Sequence, residues 1–195
     1  MSKAALTRLT ILQKSFDLVY RNGFQVTSID DIIATTQVTK GAFFYHFSNK
    51  EEMGLAMINE IMYPGMYDVL VKPLLNSTDP AADIYLMMKH LLLEAPFFDV
   101  KFGCPAVNLI DEMASVNDSF RRVLNKLFTE CQGAIQASIT AGQSRGQVRG
   151  DVDPRQVACF VMAGYSGIRN MGKLAGSACY HTYLHELTGY LNRLS

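Results

Sequence analysis

The chain has 195 residues, of which 49% are hydrophobic and 18% are charged, and its 18 basic and 18 acidic side chains give a formal net charge of zero. This composition excludes a disordered chain and fits one or two compact domains with a sizeable core. No apolar run reaches the ~18 to 20 residues of a membrane span, and the N-terminus lacks a cleavable signal pattern. We therefore expect a cytoplasmic protein with no membrane partner.

The charge is distributed unevenly along the chain. Residues 1–50 contain six Lys or Arg and three Asp, a net charge of +3, and the remaining residues carry −3. A local basic excess in an otherwise neutral chain is what a phosphate-binding module requires.

Residues 1–50 carry the signals of three helices. Hydrophobic spacing predicts a first helix over 3–22, which Asn22 and Gly23 end. Ser28, with Asp31 three residues later, marks the start of a short helix, and Thr39 marks the start of another that runs to about His46. Two short helices joined by three or four residues predict a helix-turn-helix, whose second helix lies in the DNA major groove.

The second short helix has suitable chemistry for DNA. A cation, a residue without a side chain, a small side chain and two hydrogen-bond donors would meet phosphates and base edges: Lys40, Gly41, Ala42, Tyr45 and His46. The alternative is an aromatic core stretch, in which Phe43, Phe44 and Phe47 are partly buried.

Residues 7–62 resemble the N-terminal domain of the TetR family of transcriptional regulators, over the stretches TRLTILQKSFDLVYRNGF and TSIDDIIATTQVTKGAFFYHFSNKEEM. The resemblance implies an all-α fold: a three-helix DNA-binding domain and a larger helical domain that binds a small ligand and dimerises. By position it assigns DNA binding to Thr27, Ser28, Thr39, Lys40, Gly41, Ala42, Tyr45, His46 and Lys50. Phe44 departs from the family pattern, which usually has tyrosine there, and it has no hydroxyl for a phosphate.

The remaining helices follow from periodicity and caps. A longer helix over 51–75 links the two parts, and Pro64-Gly65 is predicted to interrupt it. Asp79-Pro80 opens a helix that ends near Pro96. Helices over 106–113, 117–143, 154–176 and 180–194 complete about nine. We place the DNA-binding domain at 1–50, with its motif at about 28–47, the linking helix at 51–75, and the effector-binding and dimerisation domain at 76–195.

The last two helices are the candidate dimer interface. The first of them carries many small residues: Ala158, Ala163, Gly164, Gly167, Gly172, Ala175 and Gly176. Each glycine costs a helix roughly 1 kcal/mol relative to alanine. Close packing in a symmetric homodimer through 154–176 and 180–194 would offset that cost. Close packing within one chain is the alternative.

The second domain is rich in methionine and aromatic residues, which suggests an adaptable apolar cavity for an unknown small-molecule effector. Ordinary core is the alternative for each of them. The candidate contacts are apolar residues and polar residues on apolar faces: Tyr67, Met88, Phe98, Phe102, Asn108, Glu112, Tyr165 and Arg169, with Phe97 in the same cluster. Two or three converging polar groups would fix a polar head.

The sequence predicts neither a cofactor nor a metal. Its four cysteines are widely spaced without a CxxC pair, so neither a disulfide framework nor a zinc site is indicated. His181 and His185 lie four apart but have no third ligand nearby, which favours solvent-facing or interface roles. Cys104 has only Lys101 as a basic neighbour, so a buried thiol is preferred over a redox or electrophile sensor.

These observations predict a DNA-binding regulator rather than an enzyme, because no nucleophile–base–acid set or phosphate loop is present. The leading hypothesis is a ligand-responsive repressor that binds a palindromic operator as a homodimer and is released by an effector. The alternative is a small-molecule-binding or enzymatic helical protein without operator binding. An activator or a protein-binding adaptor also stays open.

Overall fold

The computed structural model describes residues 1–95 and 98–195, and within them the chain forms nine helices and no strand, as predicted. Pro96 and Phe97 lie outside the described residues, and so do the predicted helix end near Pro96 and the candidate contact Phe97. No helix of the described part is long and apolar enough to cross a membrane.

The helices lie close to their predicted positions. They are α1 (Lys3–Asn22), α2 (Ile29–Thr36), α3 (Lys40–His46), α4 (Lys50–Met57, continued by a π-helical turn Ile58–Met62 and by Tyr63–Leu70), α5 (Pro80–Lys89, continued by a π-helical turn His90–Glu94), α6 (Pro105–Met113), α7 (Asp118–Ser144), α8 (Pro154–Ala175) and α9 (Ala178–Asn192). A short 3₁₀ turn, Lys72–Leu74, follows α4.

Side-chain caps set most of the helix starts. The predicted caps Ser28, Thr39 and Asp79 each accept a hydrogen bond from a backbone N–H in the first turn of their helix. The cap of α4 is Asn49, which accepts from the N–H of Glu52. A residue with a short polar side chain therefore fixes each start, and this is why sequence inspection locates them.

The prediction that Pro64 interrupts the helix is wrong, because the helix continues through Pro64 to Leu70. Proline cannot donate a backbone hydrogen bond, and inside a regular helix it would leave an unpaired carbonyl. The π-helical turn before it changes the pattern: the N–H of Tyr63 bonds to the carbonyl of Ile58, five residues back. The wider turn accommodates the proline without ending the helix.

The chain divides into two compact units. The first comprises Met1–Gly65 and Pro105–Asn125, so α6 and the start of α7 join α1 to α3. Its core is apolar and aromatic, and the rings of Phe24 and Phe120 lie 4.7 Å apart at their centroids. Gly54 lies against both rings, and a Cβ there would come within 2.5 Å of Phe24. This core holds the helix-turn-helix.

The second unit comprises Met66–Cys104, apart from the two undescribed residues, and Lys126–Ser195. Helix α9 packs against both α5 and α8. The buried side chains at their contacts are mostly aliphatic, with Ile84 of α5, Val161 of α8 and Leu184 of α9 each at most 4% exposed. Among this apolar packing, Arg169 of α8 is completely buried.

Candidate functional site

A capping box starts the helix-turn-helix. The hydroxyl of Ser28 accepts a hydrogen bond from the N–H of Asp31 at 3.1 Å, and the Asp31 carboxylate accepts from the N–H and the hydroxyl of Ser28 at 2.8 and 2.6 Å. These bonds favour the ionised carboxylate and lower the pKa of Asp31. The box fixes the direction in which α2 begins.

The turn between α2 and α3 depends on a left-handed residue and a second cap. Gln37 ends α2 at a φ of 55°, a conformation that reverses the chain direction within one residue. Thr39 then accepts from the N–H of Ala42 at 3.2 Å and begins α3. The two helices are thereby joined by three residues, as the sequence predicted.

Helix α3 has one buried and one exposed face. Phe43 and Phe47 are 0% and 1% exposed and anchor the helix in the core of the first unit. Tyr45 is 78% exposed, Phe44 is 46% exposed, and Lys40 is also exposed. The aromatic-core interpretation therefore holds for Phe43 and Phe47, while the other side of the helix faces outward.

The lysines at the two ends of this segment have different surroundings. Lys40 forms an ion pair with Asp30 at 3.1 Å, but both side chains are more than 60% exposed. Such a surface pair is weak and leaves the ammonium available to another anion. Lys50 instead donates to three backbone carbonyls, those of Phe24, Gln25 and Thr27, at 3.0, 3.1 and 3.1 Å. All three of its N–H donors are used within the protein.

Two further polar side chains near the motif are committed to the fold. Thr27 is only 2% exposed, and its hydroxyl donates to the carbonyl of Gly23 at 2.7 Å. Arg8 pairs with both carboxylate oxygens of Glu60 and lies over the ring of Phe47. Neither group is free to bind another molecule, whereas Lys40 and the exposed side of α3 are accessible.

The segment between α1 and α2, residues 23–28, is held from a second side by Glu112 of α6. We name this segment the clamped loop. The Glu112 carboxylate accepts hydrogen bonds from the N–H groups of Phe24 and Gln25 at 2.8 and 2.6 Å. The side-chain amide of Gln25 in turn donates to the carbonyl of Glu112 at 3.2 Å. Glu112 was predicted as a ligand contact, but its carboxylate is engaged in positioning the loop.

The eight candidate ligand contacts divide between the units. Asn108 and Glu112 belong to the first unit, and the other six belong to the second: Tyr67, Met88, Phe98, Phe102, Tyr165 and Arg169. Three of those six lie together, because the Arg169 guanidinium lies 4.8 Å from the ring centre of Phe98 and 5.6 Å from that of Tyr165. Tyr180, which was not predicted, lies at 5.6 Å on α9.

We name the group formed by Phe98, Tyr165, Arg169 and Tyr180 the arginine cluster. Arg169 donates through Nε to the Tyr165 hydroxyl at 3.4 Å, through Nη1 to the Tyr180 hydroxyl at 3.5 Å, and through Nη2 to the carbonyl of Leu91. Burial acts to lower the pKa of Arg169, but its interactions with Tyr165 and Tyr180 raise it above the ordinary value. The guanidinium is therefore a buried positive charge.

The second unit also has an open cavity of about 470 Å³ between α7 and the turn that follows α4. Its lining includes Leu75, Ser77, Ala134, Ala137, Ser138 and Arg145, and none of the eight predicted contacts. The side-chain periodicity of α7 gave no sign of it, because small alanines facing a turn resemble ordinary helix packing.

The small residues of α8 have two different surroundings. Gly164 and Gly172 lie directly under the rings of Tyr183 and Tyr180 of α9, and a Cβ at either position would overlap them. Gly167 is exposed, and a Cβ added there would meet nothing within 4 Å beyond its chain neighbours and the adjacent backbone of its own helix. Packing within the chain thus explains two of the glycines, while the outer face of α8 stays open.

That outer face is apolar. Phe160 is 47% exposed, Met171 57% and Leu174 94%, and they follow one another at helical spacing with Ala163 and Gly167 between them. The hydroxyl of Tyr183 on α9 is buried without a hydrogen-bond partner among the described residues, and burial raises its pKa to about 12. An exposed apolar stripe of this kind is typical of an interaction surface.

The cysteines and histidines form no cluster of three or more metal-binding groups within residues 1–95 and 98–195. Cys104 and Cys131 are buried, and burial raises the pKa of Cys131 to about 12. His181 and His185 are exposed on α9.

Family models match both parts of the chain. Residues 11–57 match the model described as "Bacterial regulatory proteins, tetR family", and residues 90–186 match the one described as "Tetracyclin repressor-like, C-terminal domain". The first match contains the whole helix-turn-helix, and the second contains α8 with the arginine cluster.

Individual proteins agree with these matches. An uncharacterized HTH-type transcriptional regulator of Lactococcus lactis subsp. lactis is 30% identical over 135 residues, which is 69% of each chain. The HTH-type transcriptional repressor DhaR of Mycobacterium sp. (strain GP1) is 24% identical over 160 residues, covering 82% of this chain and 79% of the repressor. A regulator from Cytophaga hutchinsonii has the same fold, with a TM-score of 0.87 at 20% identity over 100% of this chain and 98% of its own.

Proposed function

The chain belongs to the TetR family of transcriptional regulators, and from that premise we propose that it is a ligand-responsive repressor. In this proposal a homodimer binds a palindromic operator, and a small-molecule effector releases it. DNA binding is assigned to the first unit, and effector binding and dimerisation to the second. The observation that carries the proposal is the exposed face of α3, held outward by the buried Phe43 and Phe47.

The proposed DNA contacts come from that face and from the caps beside it. Lys40 would exchange its exposed partner Asp30 for a phosphate, and Tyr45 would donate to a phosphate or a base edge. Thr39, Gly41, Ala42 and His46 would complete the contacts along α3, with Ser28 at the start of α2. Thr27 and Lys50 take a different part in the proposal: they position the clamped loop, because their polar groups are already bonded within the protein.

The proposed dimer uses the outer faces of α8 and α9. The exposed apolar residues of α8 support it, since burial against a second copy would remove them from water. A symmetric dimer also suits a palindrome, because two recognition helices then meet half-sites about one helical turn apart, ~34 Å.

The proposed effector acts through differential binding. An effector that prefers a conformation in which the two recognition helices do not match their half-sites shifts the population toward that conformation. Operator affinity then falls by at most the factor by which the effector prefers that conformation. The Mycobacterium relative is a repressor by name, which supports this direction of regulation.

The test is selection of pooled genomic DNA fragments by the purified protein at several salt concentrations. We expect enrichment of one palindrome, bound by a protein with the mass of a dimer. The double variant Lys40→Ala/Tyr45→Phe should lose the enrichment. The slope of the logarithm of its DNA-binding constant against the logarithm of salt concentration should fall in magnitude by about one for each lysine–phosphate contact removed. Lys14→Ala, which removes an exposed lysine of α1, is the matched control and should keep the enrichment.

Two outcomes would overturn the proposal. One is the absence of selective enrichment from a folded dimer at every salt concentration. The other is enrichment that the double variant retains, which would assign DNA binding to some other surface.

A further inference from the structure

The arginine cluster holds a positive charge that no carboxylate balances. Arg169 is 0% exposed, and no Asp or Glu within residues 1–95 and 98–195 forms an ion pair with it. A buried charge is expensive unless it is paired, and proteins normally supply the counter-ion themselves. Binding of an anion would therefore stabilise the unbalanced guanidinium in the interior of the second unit.

The hydrogen bonds of Arg169 leave part of its donor capacity unused. A guanidinium has five N–H donors in a fixed planar fork. Arg169 makes three hydrogen bonds, and the two to Tyr165 and Tyr180 are long, at 3.4 and 3.5 Å. One N–H on each Nη atom therefore has no protein acceptor among the described residues.

One of the three bonds has a structural reason. In the π-helical turn His90–Glu94 the N–H of Ala95 bonds to the carbonyl of His90. The next residue is a proline, which has no N–H to offer the carbonyl of Leu91. Arg169 supplies the missing donor: its Nη2 donates a hydrogen bond to the carbonyl of Leu91. A single neutral donor would do the same, so capping Leu91 does not explain a charge or a fork.

The phenol of Tyr165 does not provide the missing negative charge. Burial, followed by the influence of Cys104, raises the pKa of Tyr165 well above its ordinary value, so its hydroxyl stays protonated. The rings of Phe98, Tyr165 and Tyr180 stabilise a cation through their faces, at 4.8, 5.6 and 5.6 Å. They enclose the guanidinium in an apolar wall without neutralising it.

Of the three rings, that of Phe98 is the one that a ligand would displace most readily. It is only half-buried and precedes α6 in a stretch without regular structure, whereas Tyr165 and Tyr180 lie on α8 and α9 and are 3% and 1% exposed. The Phe98 ring covers the guanidinium without taking part in its bond to Leu91, so a ligand that displaces the ring leaves that bond intact. The hydrophobic body of a ligand would then take the place of the phenyl ring.

We propose that Arg169 is the receptor for a carboxylate on the effector, whose aromatic or aliphatic body replaces the ring of Phe98. This inference rests on the proposed function, because it names the chemical class of the effector. A planar carboxylate matches the planar fork and accepts two parallel hydrogen bonds. One guanidinium balances one negative charge, which favours a carboxylate over a doubly charged phosphate or phosphonate.

The test is calorimetric titration of the full chain with matched probes. The pairs are 3-phenylpropionate with 3-phenylpropionamide, and octanoate with octanamide; phenylphosphonate is the doubly charged probe. We expect at least one carboxylate to bind roughly 10- to 100-fold more tightly than its amide, the usual range for a hydrogen-bonded charge. Phenylphosphonate should bind more weakly than the preferred carboxylate.

Variants of the same helix locate the site. Arg169→Met should abolish the preference for carboxylate over amide, and Arg155→Met, at the exposed start of α8, should keep it. Arg169→Lys retains the charge without the fork and should lose most of the preference, and it carries the test if Arg169→Met does not fold. The inference is overturned if amides bind as tightly as carboxylates, if no probe binds at millimolar concentration, or if both Arg169 variants keep the preference.

The two proposals fail separately. Selection of genomic DNA is carried out without any probe, so a palindrome enriched by a protein that shows no carboxylate preference leaves the regulator function standing and removes the inference. Carboxylate preference in a protein that selects no DNA would instead remove the regulator function and leave carboxylate recognition by Arg169 standing.

Discussion

The clamped loop and the arginine cluster treat charged groups in opposite ways. In the loop, the Lys50 ammonium has three donors and meets three backbone carbonyls, and the Glu112 carboxylate meets two backbone N–H groups. In the cluster, the Arg169 guanidinium has five donors and makes three hydrogen bonds, two of them long. The loop charges are satisfied within the chain although they are only half-buried, while the fully buried charge is not.

The difference indicates what each charge is for. A charge whose donors or acceptors are all engaged by the backbone fixes the conformation of that backbone, and removing it leaves several groups unpaired. A buried charge without a counter-ion adds little to the stability of the free protein, because desolvation offsets what its hydrogen bonds contribute. Such a charge is available to a ligand. The comparison therefore separates residues that build the first unit from a residue for which we propose effector recognition.

The largest effect is expected from Lys50→Met. Three carbonyls of the clamped loop lose a charged donor, two of them partly buried, and we expect the free energy of unfolding to fall by about 2 kcal/mol. Urea unfolding followed by circular dichroism measures the change. Lys40→Met is the matched control: it removes an exposed lysine ten residues earlier and should change stability by no more than about 0.5 kcal/mol while lowering DNA affinity. Equal stabilities of the two variants would contradict the positioning role of Lys50.

A smaller effect is expected from Glu112→Gln. The amide keeps one oxygen acceptor but loses the charge that holds two backbone N–H groups, so stability should fall by about 1 kcal/mol. Hydrogen exchange of the Phe24 and Gln25 amides should accelerate, and exchange of the α3 amides should remain slower than exchange of these two. Asp17→Asn, at an exposed site on α1, should leave those two amides unchanged. Unaltered exchange in the Glu112 variant would show that another group holds the loop.

Sequence patterns predicted the helices of both units well, because the determinants are local. Ser28, Thr39 and Asp79 were identified as caps from neighbouring residues, and the structure confirms all three. The passage of α4 through Pro64 was not predicted, since a π-helical turn has no clear composition of its own. A proline in an apolar helix gives the same signal whether the helix ends or widens.

The candidate sites were predictable only where one helix face carries them. The exposure of Tyr45 on α3 follows from helical spacing opposite Phe43 and Phe47, and Lys40 is exposed because it is the first residue of the helix. The partners of Glu112 lie 88 and 87 residues away along the chain, and no pattern in a single sequence reports such contacts. For the same reason Glu112 was assigned to a ligand site from its place on an apolar helix.

The smallest change is expected from Arg169→Met, although its side chain is the most deeply buried of the three. The variant leaves the carbonyl of Leu91 without its donor, which is unfavourable, but it also removes a desolvated charge and lets a flexible thioether fill the space between Tyr165 and Tyr180. We expect these contributions to offset each other, so that the free energy of unfolding changes by less than about 1 kcal/mol without ligand. Urea unfolding at the protomer concentration used for Lys50→Met measures it. A loss of about 3 kcal/mol or more would instead mean that the guanidinium is a structural tie between α5, α8 and α9, and the contrast between the two regions would no longer hold.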